Sequence, residues 1–305
     1  MINKFSIGFV WQGVSQRFDM WQDGLKEAMK LLEKKYNVDY IEPTDNLDNY
    51  DLLIYWEAPC TINGMNAENY LRVKNHHLPK ILLFAGGPIN PDWVKGFDEI
   101  CVESKINVEE FAQYGITVNT AFGINDKLYR PLKVPKTYRG IHHGTCASWK
   151  RQWLGAQAFS GGMLLVGRRQ ETDSYPFTYS KELGAVIKEE TFGKELVEDI
   201  CSAEVLVQSS DFWGGGQRAT LEAMACGVPV ICMKDSPKNI EYVNESGAGV
   251  ICDPDPESIK NAHREIMKDY SRMSEQGIEY VKNKWTARHY AYELDNVIKK
   301  LCDTQ

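Results

Sequence analysis

The sequence predicts an α/β protein made of two units, each a parallel sheet with helices on both faces. Three observations carry this. Short apolar runs alternate with amphipathic helical stretches along the chain, the pattern of parallel strands joined by crossovers. The alternation pauses at Lys133-Val134-Pro135-Lys136-Thr137 and then restarts at similar length. Residues 213–229, Trp-Gly-Gly-Gly-Gln-Arg-Ala-Thr-Leu-Glu-Ala-Met-Ala-Cys-Gly-Val-Pro, set a loop poor in side chains directly before a helix. The boundaries that follow are 1–134, 135–285 and a terminal segment 286–305.

In the first half, Phe5–Trp11 is an apolar run stopped by Gln12-Gly13, a strand and its turn. A helical repeat runs from about Asp19 to Lys35, with Met20, Leu25, Met29 and Leu32 on one face. Val38–Ile41 and Leu52–Trp56 read as strands, Asn66–Asn75 as a helix, and Lys80–Phe84 as a strand ending at Ala85-Gly86-Gly87-Pro88. Glu99–Val102 is a short strand. Ser104 suits the N-cap of a helix through Tyr114, since a hydroxyl there accepts a bond from an unpaired helical N–H. Val118–Ala121 closes the half.

The second half begins with strand Tyr138–His143 and a helix near Arg151–Phe159. Strands Met163–Val166 and Ala185–Ile187, helix Lys194–Cys201 and strand Val205–Gln208 follow. The glycine loop, its helix and strand Val230–Met233 come next, and Ala287–Leu301 is a terminal helix. Open α/β sheets bind ligands at the carboxyl ends of their strands, so the expected crevice lies where loops 12–18, 144–150 and 211–218 converge.

Composition narrows the function classes. The 305 residues are 43% apolar and 25% charged, as in soluble globular proteins. Net charge is −7 and acidic residues outnumber basic ones in both halves, which argues against a protein held to nucleic acid by phosphate neutralisation. No run of 18 apolar residues predicts a membrane span, and the first ten residues read as a strand rather than a secretory signal. Eight cysteines without a Cys-x-x-Cys pair imply reduced thiols in a cytoplasmic protein, not metal ligands. No Gly-x-Gly-x-x-Gly follows the first strand, which disfavours a nicotinamide dehydrogenase.

The chemistry concentrates at 213–229. Glycines allow a ligand to approach bare backbone, and a helix N-terminus presents unpaired N–H groups and the positive end of its dipole to anions. Gly214, Gly215, Gly216 and Gln217 are therefore candidate phosphate and sugar contacts. Glu222, early in the helix, suits a ribose diol, whose two hydroxyls donate to a carboxylate.

This stretch resembles the donor-site motif of retaining glycosyltransferases with the GT-B fold, the family 4-like group (glycosyl transferases group 1), usually written Glu-Gly-Phe-Gly-x-x-x-Leu-Glu-Ala-Met-Ala-x-Gly-x-Pro-Val-Ile. Glu241-Tyr242-Val243, the segment Gly247 to Glu257, and Gly123-Ile124-Asn125-Asp126 through Pro131 are similar to further family segments. The resemblance covers roughly residues 95–300, and the first ninety match only in general shape. It implies two Rossmann-like α/β/α domains with an interdomain cleft, and a last helix that packs back on the first domain. It also implies transfer of a sugar from a nucleoside-diphosphate sugar to an acceptor hydroxyl, with a glycan, lipid or small molecule as acceptor rather than nucleic acid. No metal or cofactor is expected beyond the nucleotide-sugar co-substrate.

Further site residues follow from the resemblance. Lys150 matches the lysine that neutralises the donor diphosphate; Thr145 falls where the family has a partner arginine, and Arg151 is the candidate substitute. Gly214 replaces the family's first acidic residue, which contacts the transferred sugar, and leaves three readings: altered sugar preference, rescue by Asp211, or lost activity. Gly13 is similar to the N-terminal glycine loop, although a plain strand-to-helix turn explains it equally. The histidine that many relatives carry after a central strand has no counterpart in Phe84-Ala85-Gly86-Gly87. Glu57, at a strand end, is a catalytic or acceptor candidate; His142-His143 are either donor contacts or core residues, and His76-His77 read as exposed loop. Asp253-Pro254-Asp255 reads as a structural turn rather than a metal motif. Two other functions fit the same pattern: a weak or inactive nucleotide-sugar binder, and a nucleotide-sugar epimerase of like architecture.

Overall fold

The structure is a computed structural model and describes residues 5–11, 23–57, 65–84, 89–169, 173–211 and 217–302. The chain divides into two units, Met1–Gly123 with Ala287–Gln305, and Ile124–Thr286.

The first unit contains β1 (Ser6–Val10), α1 (Asp23–Leu32), β2 (Asn37–Ile41), β3 (Leu52–Glu57), α2 (Met65–Lys74), β4 (Lys80–Phe84), α3 (Pro91–Val94), β5 (Glu99–Val102), α4 (Lys105–Ala112) and β6 (Asn119–Thr120). Its sheet runs β2-β1-β3-β4-β5-β6 with all pairs parallel. Ile7–Val10 and the whole of β4 are buried without alternation, because a parallel sheet is covered on both faces. One apolar cluster joins Leu53, Tyr55, Tyr70, Leu82, Phe84 and Phe111. Ser104 caps α4, its Oγ accepting the Asn107 N–H at 3.4 Å.

The second unit contains β7 (Tyr138–His143), α5 (Trp153–Phe159), β8 (Met163–Val166), α6 (Tyr175–Glu182), β9 (Val186–Lys188), α7 (Gly193–Cys201), β10 (Ala203–Gln208), α8 (Gln217–Ala225), β11 (Val230–Met233), α9 (Pro237–Ser246), β12 (Gly249–Cys252), α10 (Pro256–Lys268) and α11 (Tyr270–Lys284). Its sheet runs β12-β11-β10-β7-β8-β9, again all parallel. The chain leaves β7 toward β8 and β9, then returns to β10 on the other side. The order therefore reverses between β7 and β10. Phe159, Met163, Leu165, Val207, Ile231 and Ile266 belong to the core beneath.

Helix α8 stops for a legible reason. The Val228 N–H donates to Ala223 O at 2.9 Å and the Gly227 N–H to Met224 O at 3.0 Å, the paired bonds of a Schellman end. Gly227 takes φ +71° there, which a residue with a Cβ adopts only at a cost. At the start of α10, Asp255 accepts the Glu257 and Ser258 N–H groups at 3.0 and 2.9 Å, with Pro256 in the first turn. The Asp253–Asp255 turn is thus a helix cap and an ion pair of Asp253 with Lys234.

The terminal helix α12 (Ala287–Cys302) belongs to the first unit and packs along α1. Tyr290, Leu294 and Ile298 are buried. Asp295, also buried, accepts from Lys35 Nζ at 2.6 Å and Tyr36 Oη at 2.9 Å, and pairs with Lys299 at 2.8 Å. Residues 124–134, expected with the first half, group with the second unit. The Ile124 N–H donates to Trp285 O at 2.8 Å, and the Thr137 N–H to Ser202 O at 2.7 Å. The Pro135 segment therefore lies inside the second unit, and the division falls at Gly123. Among the described residues, no helix is long and apolar enough to cross a membrane.

Candidate functional site

Strand β7 ends in His142 and His143, both buried because helices cover both sheet faces. Gly144 then turns the chain at φ +120°. Gln152 Nε2 donates to the carbonyl of Thr145 at 2.9 Å, and the Cys146 N–H donates to Arg168 O at 2.9 Å. A single 3-10 turn, Ser148–Lys150, follows; Asp173 accepts both the Ser148 N–H (2.5 Å) and its Oγ (2.9 Å).

This loop is tied to the segment leaving β10. Ser209 Oγ donates to Lys150 O at 2.7 Å, and the Asp211 N–H donates to Trp149 O at 2.9 Å. Lys150 and Asp211 are thereby held at the carboxyl ends of β7 and β10, at the reversal of strand order. Arg151 is engaged elsewhere than the sequence suggests. It sits in the left-handed region (φ 49°), donates from Nε to Ser209 O at 2.8 Å, and makes two 2.7 Å bonds to Asp235. The candidate stand-in for a phosphate-binding arginine thus clamps the β7 loop to the loop after β11, because Asp235 faces its fork bidentately. That pairing, ahead of burial, which opposes it, holds the Asp235 carboxyl below the usual range.

Glu222 lies within α8, buried with its side chain 4% exposed. Its Oε1 is 3.5 Å from Arg218 Nε, one turn back, and its Oε2 is 3.6 Å from His143 Nδ1. Burial pushes the His143 pKa down to about 3, helped by His142, Arg218 and Lys150. His142 is pushed down to about 4, first by burial and then by Lys150. Both rings are neutral at pH 7. His142 Nδ1 lies 3.1 Å from Val207 O, an acceptor, so the proton is assigned to Nδ1. The carboxylate beside His143 Nδ1 assigns its proton the same way. Nε2 of each ring, and the amide nitrogen of buried Gln217, have no hydrogen-bond partner among the described residues.

Thr145, Lys150, Arg151, Asp211, Gln217 and Glu222 all belong to the second unit, around the ends of β7 and β10 and the start of α8. Gly13, Gly214, Gly215 and Gly216 lie outside the described residues, as does most of the Phe84–Gly87 stretch. Glu57 ends β3, in register with Phe84, in the first unit. Arg218, Asp235 and Asp173 were not singled out from sequence. Arg218 had one available signal, its spacing of four residues before Glu222 on one helix face.

Among the described residues, one group gathers three metal-ligating side chains: Asp48, His76 and His77, in the first unit. His76 Nε2 faces Asp48 at 3.3 Å while its Nδ1 receives the Leu78 N–H at 3.4 Å. A ring that accepts at Nδ1 carries its proton on Nε2 and has no lone pair there for a metal. The group is a neutral imidazole facing a carboxylate, with His77 stacked beside it, and no convincing metal site is present among the described residues. The seven described cysteines are free thiols.

Residues 182–284, about a third of the chain, match the family model described as glycosyl transferases group 1. No curated protein matches the sequence at a significant level. Among solved structures, a sucrose-phosphate synthase from Thermosynechococcus elongatus is similar with a TM-score of 0.78 at 14% identity, covering 99% of this chain and 100% of that one. A glycosyltransferase from Rickettsia africae gives 0.74 at 14%, covering 99% and 100%. HepE from Anabaena, solved with UDP and glucose, gives 0.72 at 13%, covering 96% and 99%. The chain has the GT-B architecture. Its two units are Rossmann-like α/β/α domains with parallel sheets.

Proposed function

We propose that this protein is a glycosyltransferase that moves a sugar from a nucleoside-diphosphate sugar to an acceptor hydroxyl, with retention at the anomeric carbon and without a metal. The observation that carries the reading is that Lys150, after β7, and Glu222, in the helix after β10, flank the reversal of strand order and both bear on the buried His143. The match of residues 182–284 to a glycosyltransferase model and the GT-B architecture support it.

In this reading Glu222 accepts hydroxyl protons of the ribose, and Lys150 with the amides of α8 faces the diphosphate. The anomeric C–O bond breaks with its electron pair leaving on the phosphate oxygen, through an oxocarbenium-like state. The acceptor oxygen attacks from the same face and its proton passes to the departing phosphate. No protein base is needed. The free thiols suit a reducing, cytoplasmic setting.

Gly214 favours a second reading, a nucleotide-sugar binder with little or no transfer, because the carboxylate implied at that position is missing. One experiment separates the readings. Purified protein is incubated with each common nucleoside-diphosphate sugar, and nucleoside diphosphate release is measured for wild type, Lys150→Ala and Glu222→Ala. Release that falls at least tenfold in both variants supports the transferase, given about 1.5–3 kcal/mol for a charge-assisted contact. Binding without release indicates the binder, and an altered sugar without release an epimerase. Release unchanged in both variants refutes the assignment of these residues.

A further inference from the structure

A diphosphate carries more charge than one lysine neutralises. The chain has Thr145 where the resemblance implies an arginine, and Arg151 is committed to Asp235 and Ser209. A second arginine lies beside Glu222. Arg218 is the second residue of the nine-residue helix α8, four before Glu222, with its side chain 43% exposed. Its guanidinium meets Glu222 through Nε, on one edge of a planar five-donor fork that matches phosphate oxygens.

Resting on the functional reading above, the geometry points to Arg218 as the phosphate-binding arginine of this site, acting with Lys150 on the diphosphate of a nucleoside-diphosphate ligand. Two buried atoms argue independently that a polar ligand belongs beside it. The Gln217 amide nitrogen, next in sequence and in a residue only 1% exposed, is a donor with no acceptor among the described residues. An unmet buried donor is costly, and a phosphate or sugar oxygen at the helix N-terminus relieves it. His143, buried against Glu222, has an unpartnered Nε2, which with the proton on Nδ1 is an acceptor suited to a ligand hydroxyl. Its ring feels the charges of both Arg218 and Lys150, so the two cations lie within electrostatic reach of one group. Arg218 thus serves two partners: it steadies the Glu222 carboxylate and supplies the second positive charge that the β7 loop lacks.

The test compares nucleosides with their diphosphates. Wild type, Arg218→Ala and Arg218→Gln are titrated calorimetrically with ADP, GDP, UDP, CDP and TDP and with the five matching nucleosides, after circular dichroism confirms native helix content. The expected result is a roughly 10- to 100-fold loss of diphosphate affinity in both variants with nucleoside affinity changed much less. A shallower dependence of diphosphate affinity on salt should accompany it. Equal losses for nucleoside and diphosphate would mean that Arg218 acts only by holding Glu222, and overturn the inference. So would an unchanged ratio in variants that bind normally. If wild type binds none of the diphosphates, the functional reading itself fails, which the wild-type titrations alone reveal.

Discussion

Arg151 and Asp235 offer the sharpest test of how the β7 loop is built. Three variants are needed: Arg151→Ala, Asp235→Ala and the double mutant. The pair has two 2.7 Å charge-assisted bonds and an Arg151 side chain 17% exposed, but Asp235 is 45% exposed. Solvent therefore screens it, and the coupling free energy expected from the cycle is about 1–2 kcal/mol rather than the 3–5 of a fully buried pair. Arg151 also sits in the left-handed region, which costs an L-residue about 1–2 kcal/mol. The clamp must offset that strain, so either single variant lets the loop relax.

Stability is read by urea denaturation, with the transitions of the two units fitted separately. The folded-state pKa of Asp235 is depressed, so its contribution is present above the unfolded value near 4 and is lost as pH falls through the lower folded value. Coupling should therefore shrink toward pH 3. Binding of nucleoside diphosphate gives the decisive sign. A clamp predicts that Arg151→Ala and Asp235→Ala weaken binding by similar factors, since each frees Lys150 from its fixed loop. A direct phosphate contact predicts that Arg151→Ala weakens binding strongly while Asp235→Ala strengthens it by releasing the fork. Opposite signs for the two variants would refute the clamp.

Two more outcomes are expected. Gly227→Ala should destabilise the second unit by about 1–3 kcal/mol in denaturant titrations, because φ is +71° and the new Cβ would meet Ser274 Oγ at 2.7 Å; an unchanged midpoint would show that the Schellman end is not required. His142, pushed down to about 4, is neutral when folded and protonates when unfolded, so stability is full above pH 6.5 and falls with pH until about 4. Wild type should lose about 2 kcal/mol between pH 6.5 and 5 from this residue, and His142→Asn, which can keep a donor toward Val207, should lose correspondingly less; equal slopes would show the ring is not held neutral.

The architecture was legible in the sequence because its signals are local. Unalternating apolar runs such as Ile81–Phe84 are what a sheet buried on both faces requires. Less was legible where the signal is weak or distant. Helix α6 went unread because Tyr175–Glu182 buries only Pro176 and Ser180, so no apolar stripe repeats at helical spacing. Proline punctuation sets the sequence boundary at Pro135, while the bond of Ile124 to Trp285, 161 positions away, leaves no local signal. The bond of Arg151 to Asp235, 84 positions on, has no sequence signal at all.

The same blindness explains why the polar atoms that matter most surfaced only in three dimensions. His142 and His143 look like core residues by burial, and burial alone would favour apolar side chains there. A fold tolerates neutral imidazoles in a strand end only if hydrogen bonds compensate, and here His142 bonds Val207 O and His143 the Ala219 backbone, with Glu222 3.6 Å from its Nδ1, while Nε2 of each ring is left over. Gln217 repeats the pattern at the next element. Of the six buried side-chain atoms in the second unit without a hydrogen bond among the described residues, three fall together, two on the last residues of β7 and one on the first of α8, and each is expensive if it faces nothing, on the order of 1–3 kcal/mol. Their coincidence with the reversal between β7 and β10 is what a site built to be completed by a polar ligand would show. A ligand that satisfies them should stabilise the second unit more than its apolar contacts alone account for.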